Sequence, residues 1–174
     1  MQPSNDPTTP MDTRDDDESR RKVHALIAKA VTAMFGTYDA RGNNHSRPMV
    51  AIDHEGDDLW FFARSDSRKV AELSSDPRVS LHYADDSGKN YVSVVGTAEI
   101  VRDADKAKEL WMEPLRTWFP DGAEDPHVTL IRVAMDTAEY WDSSSGAKIF
   151  AYGYLKARLT GTPPSPGDVR HVDM

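Results

Sequence analysis

Between Thr32 and Ala63 the chain passes through three short segments of strand character, parted by two tight turns. The segments are Thr32–Tyr38, His45–Ile52 and Leu59–Ala63; the turns are Asp39-Ala-Arg-Gly42 and His54-Glu-Gly-Asp57. His45–Ile52 alternates polar and apolar residues, the period of a half-buried strand. Glycine in a short polar connection supplies the positive φ that hairpin turns demand. The pattern predicts an antiparallel meander, with the middle segment beside Leu59–Ala63.

Three further strands are expected at Arg78–Tyr83, Tyr91–Val101 and Val128–Trp141. Helices are few. Ser19–Ala30 places Val23, Leu26, Ile27 and Ala30 on one face, behind a cap at Asp17 or Ser19. Ser67–Leu73 is short and stopped before Pro77. Asp103–Trp118 carries Ala107, Leu110, Trp111 and Leu115 behind an Asp103 cap. Ala147–Leu159 leans towards helix. Six strands with short helices predict a mainly β (α+β) fold, a six-stranded antiparallel barrel with flanking helices.

The 174 residues fit one domain. Residues 1–18 hold six acids against Arg14, so −5 of the net −8 lies there, and they read as a disordered acidic tail. The folded domain is expected over 19–161, with a Pro/Gly-rich tail over 162–174. An acidic chain argues against a nucleic-acid partner. Nothing approaches the roughly 18 apolar residues of a membrane span, and the N-terminus has no apolar signal core, so a cytoplasmic location is expected. With no cysteine, thiolate catalysis and cysteine-ligated metal are excluded. The six histidines are scattered without ligand spacing, and no metal site is expected. Phosphate-loop, dinucleotide-fingerprint and nucleophile-elbow motifs are absent.

The chemistry concentrates in Trp60-Phe-Phe-Ala-Arg-Ser-Asp-Ser-Arg-Lys69, where a strand ends and a helix begins. Residues 64–69 carry a net +2 inside an acidic chain. A helix N-terminus presents free N–H groups and partial positive charge, and Arg68 and Lys69 add full charges. Ser65 and Ser67 add hydroxyl donors. A terminal phosphate suits such a site, yet the same residues also read as an ordinary capped helix with Ser67 as its cap. Arg47, within Ser46-Arg-Pro-Met-Val50, is a second candidate cation, on a strand that Pro48 marks as an edge. Trp111, Trp118, Phe119, Tyr140 and Trp141 read as core, as a platform for a planar ring, or as an interface.

These motifs, with Trp118-Phe-Pro-Asp-Gly-Ala-Glu-Asp-Pro126 and Glu139-Tyr-Trp-Asp142, resemble the flavin-binding split-barrel proteins of the pyridoxamine 5′-phosphate oxidase superfamily, in the branch similar to general stress protein 26. The resemblance spans about Val23 to Gly161. It implies a six-stranded FMN-binding split barrel and a homodimer with FMN at the subunit interface. It implies phosphate contacts from Arg47, Ser67, Arg68 and Lys69, with Ser65 beside them. The backbone of Phe61, Phe62 and Ala63 would run along the flavin ring, with Pro48, Met49 and Val50 nearby and Trp118 and Trp141 as aromatic contacts. The Arg-Leu-x-Pro motif that helps hold substrate in pyridoxamine phosphate oxidases is not matched by Arg158-Leu-Thr-Gly161, which speaks against that vitamin-oxidase activity. The resemblance implies a flavin-dependent oxidoreductase in stress response. A flavin store or sensor is the alternative, or a haem site with His45 or His82 as axial ligand.

Overall fold

The computed structural model describes residues 16–142 and 168–174. Helix α1 (Asp16–Ala30) leads into β1 (Thr32–Tyr38), β2 (Asn44–Val50), β3 (Asp53–Glu55) and β4 (Asp58–Arg64). Helix α2 (Arg68–Ser75) precedes β5 (Arg78–Asp85) and β6 (Asn90–Val101). Helix α3 (Ala104–Glu109) and two 3₁₀ turns, at Glu113–Thr117 and Gly122–Glu124, lead to β7 (Val128–Asp142), and β8 (Asp168–Asp173) comes last.

The sheet is antiparallel throughout, in the order β2-β1-β5-β6-β7-β4-β3, with β8 added to β7. It curls. Phe35 on β1 packs edge-on against Phe61 on β4, with centroids 5.1 Å apart, although three strands separate them in the hydrogen-bonded order. Among the described residues the sheet does not close, since β2 pairs with β1 and β3 with β4 at the two ends of that order. The main core fills the curl with Val23, Ile27, Phe35, Phe61, Leu81, Val94 and Val133, so α1 delivers the apolar face its periodicity predicts.

Strand β4 is buried on both faces, which accounts for its unbroken apolar run. Leu59, Phe61 and Ala63 face the main core, while Trp60 and Phe62 join Ala107, Leu110, Phe119 and Leu130 in a second one. This placement corrects the expected meander. A strand apolar on both faces needs an interior position, and β4 finds it beside β7. The half-exposed β2, whose Pro48 has no N–H to give, stays at the opposite edge. Arg47 therefore does not lie on a strand neighbouring β4.

Both glycine turns are present, with Gly42 at φ 81° and Gly56 at φ 62°. The expected Asp103–Trp118 helix stops at Glu109, and Pro114 opens a 3₁₀ turn instead, because it cannot donate a helical hydrogen bond and disfavours helix at the residue before it. Asp103 does cap α3, accepting from the Asp105 and Lys106 N–H groups at 3.0 and 2.9 Å. The eight strands among the described residues exceed the expected six: β3 is a three-residue addition, and Asp168–Asp173, expected as tail, pairs with Thr137–Asp142 of β7. Helix α1 begins at Asp16, so residues 16–18 of the expected 1–18 tail are helical and the expected caps Asp17 and Ser19 lie inside the helix. The remainder of that tail and the helical lean at 147–159 lie outside the described residues.

Candidate phosphate site at the start of helix α2

The chain leaves β4 at Arg64, turns through Ser65-Asp66 and enters α2. Arg64 pairs with Asp66 at 2.9 and 3.0 Å, so these two charges satisfy each other within the turn. Ser67 occupies the N-cap position with extended φ and ψ of −80° and 151°, yet its side chain makes no capping hydrogen bond. Its Oγ is buried and has no partner among the described residues. An unsatisfied buried hydroxyl costs about 1–3 kcal/mol, so the simple capping role does not account for it.

Lys69, in the first turn of α2, is half-buried. It makes no ion pair to a carboxylate among the described residues. Burial, then the nearby Arg47 guanidinium, push its pKa below the ordinary value of 10.5. Arg47 reaches the site from β2. Its NH1 donates to Thr37 Oγ1 and its NH2 lies 3.3 Å from Glu72 Oε2. Arg68 Nε donates to Glu72 Oε1 at 2.7 Å, and Arg68 NH2 lies 2.7 Å from His45 Nε2. His45 Nε2 is also 3.2 Å from Asp39 Oδ2. Two arginines thus share one buried carboxylate, with Lys69 close enough to Arg47 to feel its charge, and the helix start adds first-turn N–H groups. An orphaned hydroxyl at the N-cap, a desolvated ammonium in the first turn and helix N–H groups make a donor set that fits a terminal phosphate.

Arg47 and Arg68 meet on Glu72, with Lys69 near Arg47 and Ser67 at the N-cap of the same helix; Arg47 arrives from the far end of the sheet order rather than along a strand neighbouring β4. Sequence reading missed Glu72 and Thr37, and weighed His45 only as a haem ligand, not as a neighbour of Arg68. The signal was present for Glu72, four residues after Arg68 and on the same helical face.

The remaining candidates are spread out. On β2, Arg47 and Met49 are half-buried, whereas Pro48 and Val50 are exposed. The side chains of Phe61, Phe62 and Ala63 are spent in the two cores. Backbone is available: the Trp60 carbonyl accepts from Ile52 N–H at 2.8 Å, so by the two-residue period the polar groups of Phe62 face the same edge, beyond the reach of β3. Ser65 lines a cavity of about 370 Å³ instead, together with Asp103, Glu124, Asp125 and Thr129. Trp118 is 63% exposed after the first 3₁₀ turn. Trp141 and its β6 neighbour Tyr91 are exposed on the outer face of the sheet.

The sequence model described as pyridoxamine 5′-phosphate oxidase like matches residues 18–165. The chain belongs to the pyridoxamine 5′-phosphate oxidase-like family. Among relatives, the Neurospora crassa protein bli-3 is 29% identical over 167 residues, spanning 90% of this chain and 80% of its own. A crystal structure of general stress protein 26 from Jannaschia sp. CCS1 superposes with a TM-score of 0.71 at 22% identity, over 90% of this chain and 99% of that one. The general stress FMN/FAD binding protein of Xanthomonas citri gives 0.64 at 26% identity, over 74% and 92%. The oxidase-like family brings with it the split barrel, and the curled, unclosed antiparallel sheet described above has that form.

Proposed function

We propose that the chain binds FMN with its phosphate at the N-terminus of α2 and works as a cytoplasmic flavin-dependent oxidoreductase in stress response. The observation that carries the reading is Ser67 Oγ, buried without a partner among the described residues at the N-cap of α2, the helix whose first turn carries the half-buried Lys69. Ser67, Lys69, Arg47 and Arg68 hold the phosphate. The Phe62 backbone edge, with Met49 and Val50 of β2, orients the ring. The flavin, when bound, supplies the hydride chemistry, and the protein contributes position and electrostatics. The Xanthomonas citri relative, named for FMN/FAD binding, supports the same ligand class.

A homodimer completes this reading. Met34, Val50, Tyr91, Val95 and Trp141 are exposed along the sheet, residue types that interfaces or ring contacts cover. Haem is disfavoured, because His82 is exposed on the outer face and His45 is engaged by Arg68 and Asp39.

The test is the absorption spectrum of the purified protein and the identity of the ligand released on denaturation. Flavin bands and released FMN support the proposal, and turnover of reduced nicotinamide supports catalysis. A Soret band, or FMN that fails to bind the apoprotein, contradicts it.

A further inference from the structure

We propose that Glu72 is a positioning residue of this site, its buried carboxylate fixing Arg47 and Arg68 for an incoming phosphate. The inference rests on the phosphate reading above. Glu72 is only 7% exposed, on an eight-residue helix whose other buried residues, Val70 and Leu73, are apolar. A buried carboxylate is costly unless paired, and in a site built from cations it also opposes an anionic ligand through Coulomb repulsion. Its placement there calls for a compensating role.

The geometry supplies one. The two carboxylate oxygens are divided between the two arginines: Oε1 takes Arg68 Nε, while Oε2 takes Arg47 NH2 and the Thr37 hydroxyl. Thr37, fully buried, in turn accepts from Arg47 NH1. The Arg47 guanidinium is thus held through both terminal nitrogens, by a helix residue and a strand residue. Arg68, whose side chain is 64% exposed, is held by Nε to Glu72 and by NH2 to His45. Without this carboxylate, Arg47, Arg68 and Lys69 repel one another. With it, two long side chains are ordered before the ligand arrives, and the ligand does not bear that entropy cost.

Charge and positioning predict opposite signs for Glu72→Gln. Loss of the negative charge alone tightens phosphate binding, whereas loss of positioning weakens it. The experiment titrates wild type and E72Q with FMN and with riboflavin, which lacks the phosphate, following flavin fluorescence. The expected result is that wild type prefers FMN, that E72Q loses about tenfold of FMN affinity, and that riboflavin affinity is unchanged. Glu72→Asp retains part of the preference. Thr37→Val removes the hydroxyl that joins Arg47 to Glu72 and shows the same split, which covers the case of an unfolded E72Q. Unchanged or tighter FMN binding in both variants overturns the proposal while the phosphate site stands. Equal losses for FMN and riboflavin overturn it in favour of a purely structural role. A wild type that does not distinguish FMN from riboflavin overturns the phosphate reading itself.

Discussion

Arg47 and Glu72 meet at 3.3 Å although 25 residues separate them in sequence. Arg47 belongs to the outermost strand at one end of the sheet order. Glu72 belongs to the helix that follows β4, near the other end. The contact therefore joins, through side chains, two regions that backbone hydrogen bonding leaves apart. It also brings a strand cation against the middle of a helix, one turn beyond its first residue, Arg68.

Removal of the ammonium or the strand guanidinium is expected to weaken FMN selectively. Each charge-assisted hydrogen bond contributes about 1.5–3 kcal/mol, so Lys69→Ala or Arg47→Ala raises the FMN dissociation constant roughly ten- to a hundredfold. Fluorescence titration measures it. Riboflavin affinity stays unchanged in Lys69→Ala.

Affinity should depend on pH in the alkaline range. Burial and Arg47 hold Lys69 below 10.5, and a bound phosphate favours its charged form. FMN binding consequently weakens as pH rises through that lowered value, before an ordinary lysine would lose its proton. Lys69→Arg, which keeps its charge, flattens the profile. A wild-type affinity that is constant up to pH 10.5 contradicts this.

Acid stability should carry a Glu72 signature. Burial raises its pKa, but hydrogen bonds from Thr37, Arg68 and Arg47 outweigh burial and leave it below the ordinary 4.5. A carboxylate whose folded value lies below its unfolded value contributes stability above the unfolded value and loses it as pH falls through the folded one. Urea unfolding from pH 6 downwards should show wild type losing more stability below pH 4.5 than Glu72→Gln does.

The outer face should mediate self-association. Tyr91 and Trp141 are register neighbours, 43% and 37% exposed, and Val95 on the same face is 52% exposed. Replacing both aromatics with Ser is expected to shift the protein to monomer in sedimentation velocity at micromolar concentration, with FMN partly restoring the dimer by linkage. A dimer of undiminished strength in the double variant removes this face from the interface.

At Gly96 the β6–β7 register shifts, and an added Cβ would collide with the Ala134 carbonyl oxygen. Backbone cannot yield as a side-chain tip can. Gly96→Ala should cost about 1–3 kcal/mol in urea unfolding.

The sequence carried the local features well. Gly42 and Gly56 mark the two turns, Asp103 caps α3, and Val23, Leu26 and Ile27 face the core, because each depends on neighbours within a few residues. It carried strand order poorly. Nothing local in Leu59–Ala63 says that its partner is Val128–Ala134, some seventy residues on, and adjacency in sequence wrongly favoured β2. The site was legible as a set of cations. Its organisation was not, since Glu72 and Thr37 acquire their roles only when α2 packs against β1. The net +2 over residues 64–69 is that of Arg68 and Lys69, since Asp66 neutralises Arg64, and it omits Arg47.

Whether Ser67 and Lys69 hold the flavin phosphate is decided by a crystal structure of the FMN complex. Phosphate oxygens are expected within about 3 Å of Ser67 Oγ and Lys69 Nζ, the distance of a charge-assisted hydrogen bond. A phosphate bound elsewhere, for example in the cavity lined by Ser65, Asp103 and Asp125, with the Ser67 hydroxyl still unpartnered, would contradict it.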